Sequence, residues 1–309
     1  MTALKAKKKE KDFLAISKPA NAVIVFILAL ATITCVLPLI LIYSVSFSSE
    51  SSVSKFGYRF WPVEFSFDAY DYLFKTGEQL AHSYLITILV TLLGTVLSLL
   101  VVSMFAYVIS RSDFKYRRPF AFFVFFTMLF NGGMVPSYII NVNVLHLNDT
   151  IWALILPMLV NGFYIMVMRT FYATTISPAI LDAAKIDGAG EFRTFFNIVV
   201  PLSKPAFATV GLFTVIGYWN DWMLAMLYIT DQKLAPVQYT LMKVQNNLEF
   251  VKQSAKYLTS VEGMQLAMNT PTDSAQMALT ALVVTPLLIA YPFFQKYFVK
   301  GLTIGGVKE

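Results

Sequence analysis

The sequence is poor in charge, cysteine and histidine. Only 14% of its 309 residues are Asp, Glu, Lys or Arg, against about a quarter in an ordinary soluble domain. With 57% hydrophobic residues, the chain is neither a typical soluble globule nor a disordered one. The single cysteine, Cys35, permits no internal disulfide and no cysteine-based metal site. The two histidines, His82 and His146, lie far apart, which argues against a His-rich zinc cluster. None of the 14 glycines is followed by lysine. No Walker A loop is therefore present to cradle phosphates, and any ATP chemistry belongs to another polypeptide. Net charge is +6, but the basic residues fall in short clusters between long apolar runs. A nucleic-acid binder would spread them over one polar face.

What the chain has in abundance is apolar length. A helix needs roughly 20 mostly apolar residues to cross a hydrocarbon core. Six segments meet or approach this: Asn21–Tyr43, Ser83–Ile109, Pro119–Ile140, Ile151–Met168, Pro205–Ile229 and Met277–Tyr297. The runs are apolar on all sides and do not alternate with period two, which disfavours a strand barrel. The first run is too long for the core of a signal peptide and lacks a small-x-small cleavage site. It reads as a retained helix.

Lys and Arg in the loops set the orientation. With a cytoplasmic N-terminus, 17 of the 24 basic residues fall inside, so both termini are expected in the cytoplasm. The expected organisation is a basic cytoplasmic N-terminus (1–20), a six-span domain (21–300) with an inner loop at 171–205, and a cytoplasmic tail (301–309). An outer stretch with Phe56, Tyr58, Phe60, Trp61 and Pro62 is expected to cap the bundle at the membrane interface.

The inner loop carries the densest pattern. Ser177 before Pro178 reads as a helix start, and Gly188 and Gly190 end that short helix. A second helix follows with Phe192, Phe195, Phe196 and Val199 at i, i+3, i+4 and i+7, an expected single apolar stripe. Such a helix-turn-helix either packs under its own bundle or docks in a groove of a partner. Periodicity alone leaves both open.

The run Asp182-Ala183-Ala184-Lys185-Ile186-Asp187-Gly188-Ala189, with Phe195, Ile198, Pro201 and Pro205 after it, resembles the EAA loop of ABC importer permeases. Asp182 stands where that pattern has Glu. Asn131-Gly132-Gly133-Met134-Val135-Pro136-Ser137-Tyr138 and Leu147-Asn148-Asp149-Thr150-Ile151-Trp152 are similar to the carbohydrate-uptake branch. The nearest likeness within it is to permeases of complex-polysaccharide and aldouronate systems, relatives of the second maltose permease. The ending Phe298-Val299-Lys300-Gly301-Leu302-Thr303 resembles that family's tail.

The resemblance implies an all-α membrane protein with the type I ABC importer permease fold, lying in a bacterial cytoplasmic membrane and non-catalytic. Its expected partners are a second, different permease subunit, a dimer of ABC ATPase subunits, an extracytoplasmic solute-binding protein and an oligosaccharide. ATP and Mg would be held by the ATPase. Asp182, Ala183, Ala184, Asp187, Gly188 and Ala189 would form the coupling helix. Ala183 and Ala184 would permit close approach of a partner. Phe192, Phe195, Phe196 and Pro201 would anchor the second helix under the bundle.

Polar residues inside the spans are costly and tend to face the bundle or a watery path. Asn131, beside Gly132 and Gly133, should break its helix. Asn161, Tyr218, Trp219, Asn220 and Asp221 add the aromatic faces and hydrogen-bonding groups that suit a sugar. These six residues are the candidate solute path. The competing reading is a secondary transporter driven by an ion gradient. That class should show inverted repeats with intramembrane acids, whereas Asp221 is the single convincing acid and no repeat is evident.

Overall fold

The computed structural model describes residues 17–75, 77–255 and 272–304. Most of the basic N-terminus, part of the 230–276 segment and the tail beyond 304 lie outside the described residues. Among the described residues three helices are long and apolar enough to cross a membrane unbroken: α1 (Lys18–Ser46), α4 (Gly77–Ser110) and α15 (Asp273–Ile304). Between α1 and α4 sit two short helices, α2 (Glu50–Phe56) and α3 (Asp68–Phe74). Among the described residues there is no β-strand, only an isolated antiparallel bridge between Ser48 and Phe65.

The middle of the chain departs from straight spans. The expected span 119–140 is two pieces, α5 (Arg117–Leu129) and α6 (Met134–Ile139), the latter continued by a π turn at Ile140–Val144. The pieces meet at 112°. At 13 residues, α5 covers only about 20 Å at the usual 1.5 Å rise. The break is chemical: Asn131 Oδ1 accepts the Gly133 N–H at 2.8 Å, and Gly133 takes φ +88°, where a side chain is disfavoured. The fourth span is also bent, by 50°, between α7 (Trp152–Leu159) and α8 (Gly162–Thr175). It runs past the expected end at Met168 because Asn161 starts a fresh helix, accepting the N–H groups of Phe163 and Tyr164.

After α8 come α9 (Pro178–Ile186), α10 (Glu191–Thr194), a π turn at Phe195–Val199, and α11 (Val200–Leu202). The stretch Glu191–Leu202 then turns by 84° into α12 (Lys204–Trp219). The fifth expected span does not run unbroken to Ile229. It stops at Trp219, and a separate helix α13 (Met223–Tyr228) follows. The polar stretch beyond holds α14 (Val237–Ala255).

α4 is the centre of the bundle, packing against α7, α8 and α12. Its inward face carries Ser83, Thr87, Thr91, Thr95 and Ser98, all buried. Small hydroxyl residues let helix backbones approach closely in a membrane. Gly94 completes this face: a methyl group there would lie 2.5 Å from the Tyr218 ring. One apolar core, around Ala106, Met168, Tyr172, Phe195 and Val210, fills the end of the bundle near α9. Others, around Leu154, Tyr218 and Tyr228 and around Leu73, Leu241 and Leu279, fill the rest. Asp149, at φ +51°, braces one end by accepting from Thr230 N and Asp231 N at 2.6 and 2.9 Å. α1 packs on α15 and bonds it through Tyr43 Oη and Thr285 Oγ1 at 2.7 Å.

Candidate functional site

The helix-turn-helix at 178–202 is built by local chemistry. Pro178 fits the first helical position because its missing N–H is unneeded there. Ser177 precedes it without a side-chain capping bond. At the other end Gly188 takes φ +72°. Its N–H donates to Lys185 O at 3.0 Å, and Ala189 N–H donates to Ala184 O at 2.9 Å. This pair of bonds is a Schellman motif, which needs a left-handed residue at the position Gly188 holds.

α9 has two unlike faces. Ala184 is buried and Leu181 is half-buried against the core, so they seat the helix on its own chain. Ile180, Asp182, Ala183 and Ile186 face outward, and Ile186 is 87% exposed. The expectation that Ala184 is open to a partner is therefore corrected: its side chain points home, and the outward apolar strip is Ile180, Ala183 and Ile186. The single phenylalanine stripe is corrected too. Phe195 is buried, while Phe192 and Phe196 are exposed. Phe192 lies on α10, ahead of the π turn at Phe195–Val199, and within that turn the extra residue per turn moves later positions off the stripe. Asp187 caps the helix end, exposed, and Pro201 lies in the first turn of α11.

Charged groups fasten this unit to α4, a feature sequence reasoning missed. Arg111 follows directly on α4 and is nearly buried, with its side chain 9% exposed. Its Nε and Nη2 donate to the Asp113 carboxylate at 2.8 and 2.5 Å. Its Nη1 donates to Tyr107 Oη at 2.9 Å and to Glu191 Oε2. Lys185 of α9 reaches the same Asp113 Oδ2 at 2.7 Å. Hydrogen bonds from Arg111 and Lys185 hold the Asp113 carboxyl well below the usual carboxylate range. Hydrogen bonding to Asp113 pushes the Arg111 guanidinium upward. Arg169 of α8 adds a bond to Ile109 O at 3.3 Å.

The six expected path residues do not form one surface. Asn131 and Asn161 are spent on helix ends at the two breaks. Tyr218 and Trp219 are buried: Tyr218 Oη donates to Ile155 O at 2.9 Å and Trp219 Nε1 to Val283 O at 3.4 Å. The aromatic pair is thus committed to packing inside the subunit. Asp221 accepts from Leu224 N at 3.3 Å at the start of α13, and Asn220 accepts from Gln238 Nε2 at 3.1 Å. Beside them lies a cleft of about 310 Å³ lined by Trp222, Gln238, Gln245, Gln276, Thr280 and Val283. Its glutamines come from α14 and α15, outside the six expected spans, and none of these lining residues is among the expected path residues.

Residues 102–304 match the family of binding-protein-dependent transport system inner membrane components. The chain belongs to this family. Over 283 residues the permease is 38% identical to the polygalacturonan/rhamnogalacturonan transport system permease protein YtcP of Bacillus subtilis (strain 168), covering 92% of this chain and 96% of that protein. It is 30% identical over 251 residues to the arabinooligosaccharides transport system permease protein AraQ of the same organism, covering 80% of each. Among solved structures, it is similar to a bacterial ABC transporter involved in the import of the acidic polysaccharide alginate. That match has a TM-score of 0.78 and 30% identity, and covers 92% of this chain and 99% of the other. The helical architecture is that of type I ABC importer permeases, as the sequence resemblance implied. The permease is a multi-pass protein of the bacterial cytoplasmic membrane.

Proposed function

We propose that the permease is one half of a heterodimeric translocation path for oligosaccharides or polysaccharide fragments, driven by a separate pair of ATPase subunits. The observation that carries this reading is the outward strip of α9. Burying an isoleucine is worth about 1.5–3 kcal/mol, yet Ile186 is 87% exposed on a short helix outside the bundle. Ala183 beside it adds no bulk, so a second backbone can come close. An apolar helix face with a small residue at its centre suits a groove on a partner. By family likeness that partner is the ATPase, which holds ATP and Mg. α9 then lies in the cytoplasm, as do both termini, and a solute-binding protein delivers the sugar on the opposite side.

Sugar as cargo is supported by the named relatives, which are carbohydrate transport permeases. The permease contributes binding, positioning and movement, with no catalytic step of its own. The test is co-purification of a tagged candidate ATPase with the assembled importer. Ile186→Asp should reduce the recovered ATPase by at least about tenfold, the loss of one buried isoleucine plus a buried charge. Ala183→Asp should do the same, with membrane insertion intact. Full recovery of the ATPase with both correctly inserted variants would overturn the docking role.

A further inference from the structure

A helix that receives a push must be fastened to what it moves. α9 has little apolar fastening: Ala184 is its one buried residue, and Leu181 is half-buried. Both helices of the unit are instead tied to one point. Lys185 of α9 bonds Asp113, Asp113 bonds Arg111 through a two-pronged contact, and Arg111 bonds Glu191 of α10. Tyr107, one turn back on α4, closes a ring with Arg111 and Glu191 by bonding both, and Asp113 and Lys185 extend from that ring as an arm.

Charges alternate along arm and ring: Lys185, Asp113, Arg111, Glu191. The guanidinium fork fixes direction as well as distance, which a lone ammonium cannot do. Lys185 and Asp113 are about half exposed, so their pair adds little stability in water. Its value is geometric. With the Arg111–Glu191 bond, it links the end of α4 to both ends of the α9–α10 turn.

We infer that the Tyr107–Arg111–Glu191 ring and its Asp113–Lys185 arm make α9 and α10 move as one piece with α4, the central helix of the bundle. Asp113 is the pivotal positioning residue, and it acts through Arg111 and Lys185 without contacting cargo. This rests on the reading of α9 as the ATPase-docking helix. The 84° turn between Glu191–Leu202 and α12 makes the need plain. A sharp corner in the backbone transmits a stroke poorly, and the ring offers a route around it to a straight helix.

The test uses the whole importer, both permeases with their ATPase, in nanodiscs. Cys35→Ser removes the native thiol, and the partner chains are freed of reactive cysteine. Thr280→Cys, in the cleft beside Trp222, reports the state of the bundle through its rate of labelling by a water-soluble maleimide. Rates are compared without nucleotide and with ATP plus vanadate. With the ring intact they should differ by about fivefold or more, the signature of two discrete arrangements. Asp113→Asn and Lys185→Met should each collapse the difference to under about twofold with the ATPase still bound in full amount. Lys185→Arg should keep it.

An unchanged difference in both Asp113→Asn and Lys185→Met would overturn the inference. So would loss of ATPase from those variants, which would make the ring part of the docking surface. No difference in the unmodified importer with ATPase bound would overturn any relay from α9. Absence of ATPase from the unmodified importer is a separate failure, and it would sink the docking reading itself.

Discussion

Gly94 lies under the ring of Tyr218, close enough that a methyl group on Gly94 would stand 2.5 Å from the phenol carbon Cζ. The ring cannot yield, because Tyr218 Oη is bonded to Ile155 O and the side chain is buried. Gly94→Ala is therefore expected to destabilise the bundle by about 1–3 kcal/mol through overpacking. Thermal unfolding of the purified protein in detergent measures this. Tyr218→Phe in the same background should not restore stability, since the ring itself makes the clash.

Gly188 poses the opposite problem, with open space around it and a demanding backbone. Nothing lies within 4 Å of its would-be side chain, but φ is +72°. A β-branched residue there should cost about 1–2 kcal/mol in local conformation. Gly188→Val is expected to fray the end of α9 and lower ATPase recovery in co-purification. Gly188→Asn should be milder, because asparagine visits the left-handed region more readily. Equal losses from the two variants would speak against a conformational cause.

Phe192, on α10, and Phe195, at the start of the π turn, should behave differently. Phe195 is buried against Tyr107 and the core near α9, so Phe195→Ala should cost about 3–5 kcal/mol. Phe192 is 68% exposed, and Phe192→Ala should change the unfolding midpoint little. Denaturation of the two variants side by side separates them.

At the other end of the bundle Glu50 should give an acid-dependent component of stability. Burial pushes its carboxyl up, but bonds from Ser274 N, Asp273 N, Ser274 Oγ and Thr272 Oγ1 outweigh this and hold it below 4.5. A group lowered on folding stabilises the folded state above its unfolded value. That contribution is lost as pH falls through the folded value. The gap in unfolding midpoint between the native protein and Glu50→Gln should be full at pH 7 and shrink below about pH 4.5. A gap independent of pH would exclude the carboxylate as its source.

What the sequence made legible is what depends on neighbours along the chain. The long apolar runs, the break at Asn131–Gly133 and the stop at Gly188 are local, set by side-chain volume and backbone freedom. The structure keeps the first, second and sixth runs as unbroken helices, and it keeps the break and the stop. The inward turn of Ala184 was hidden, because a nine-residue helix does not declare which face its own chain will cover. The π turn at Phe195–Val199 shifts the helical phase of the residues after Phe195, and periodicity has no warning of that. The ring and its arm were invisible for another reason. Asp113 and Lys185 are 72 positions apart, and Arg111 and Glu191 are 80 apart, so only the folded chain brings them together. Tyr218 and Trp219 looked like ligand groups because aromatics serve binding and packing equally well.

Finally, α1 is structure on loan. Residues 18–38 of α1 are all exposed, and its side-chain bonds to the rest of the chain come from Tyr43, Ser44 and Ser46 at one end. Those turns of helix are held by the medium around the subunit and contribute almost nothing to its interior. A change of surroundings too gentle to disturb Gly94 and Tyr218 should reach α1 first, so this helix is the one that senses what the chain is embedded in.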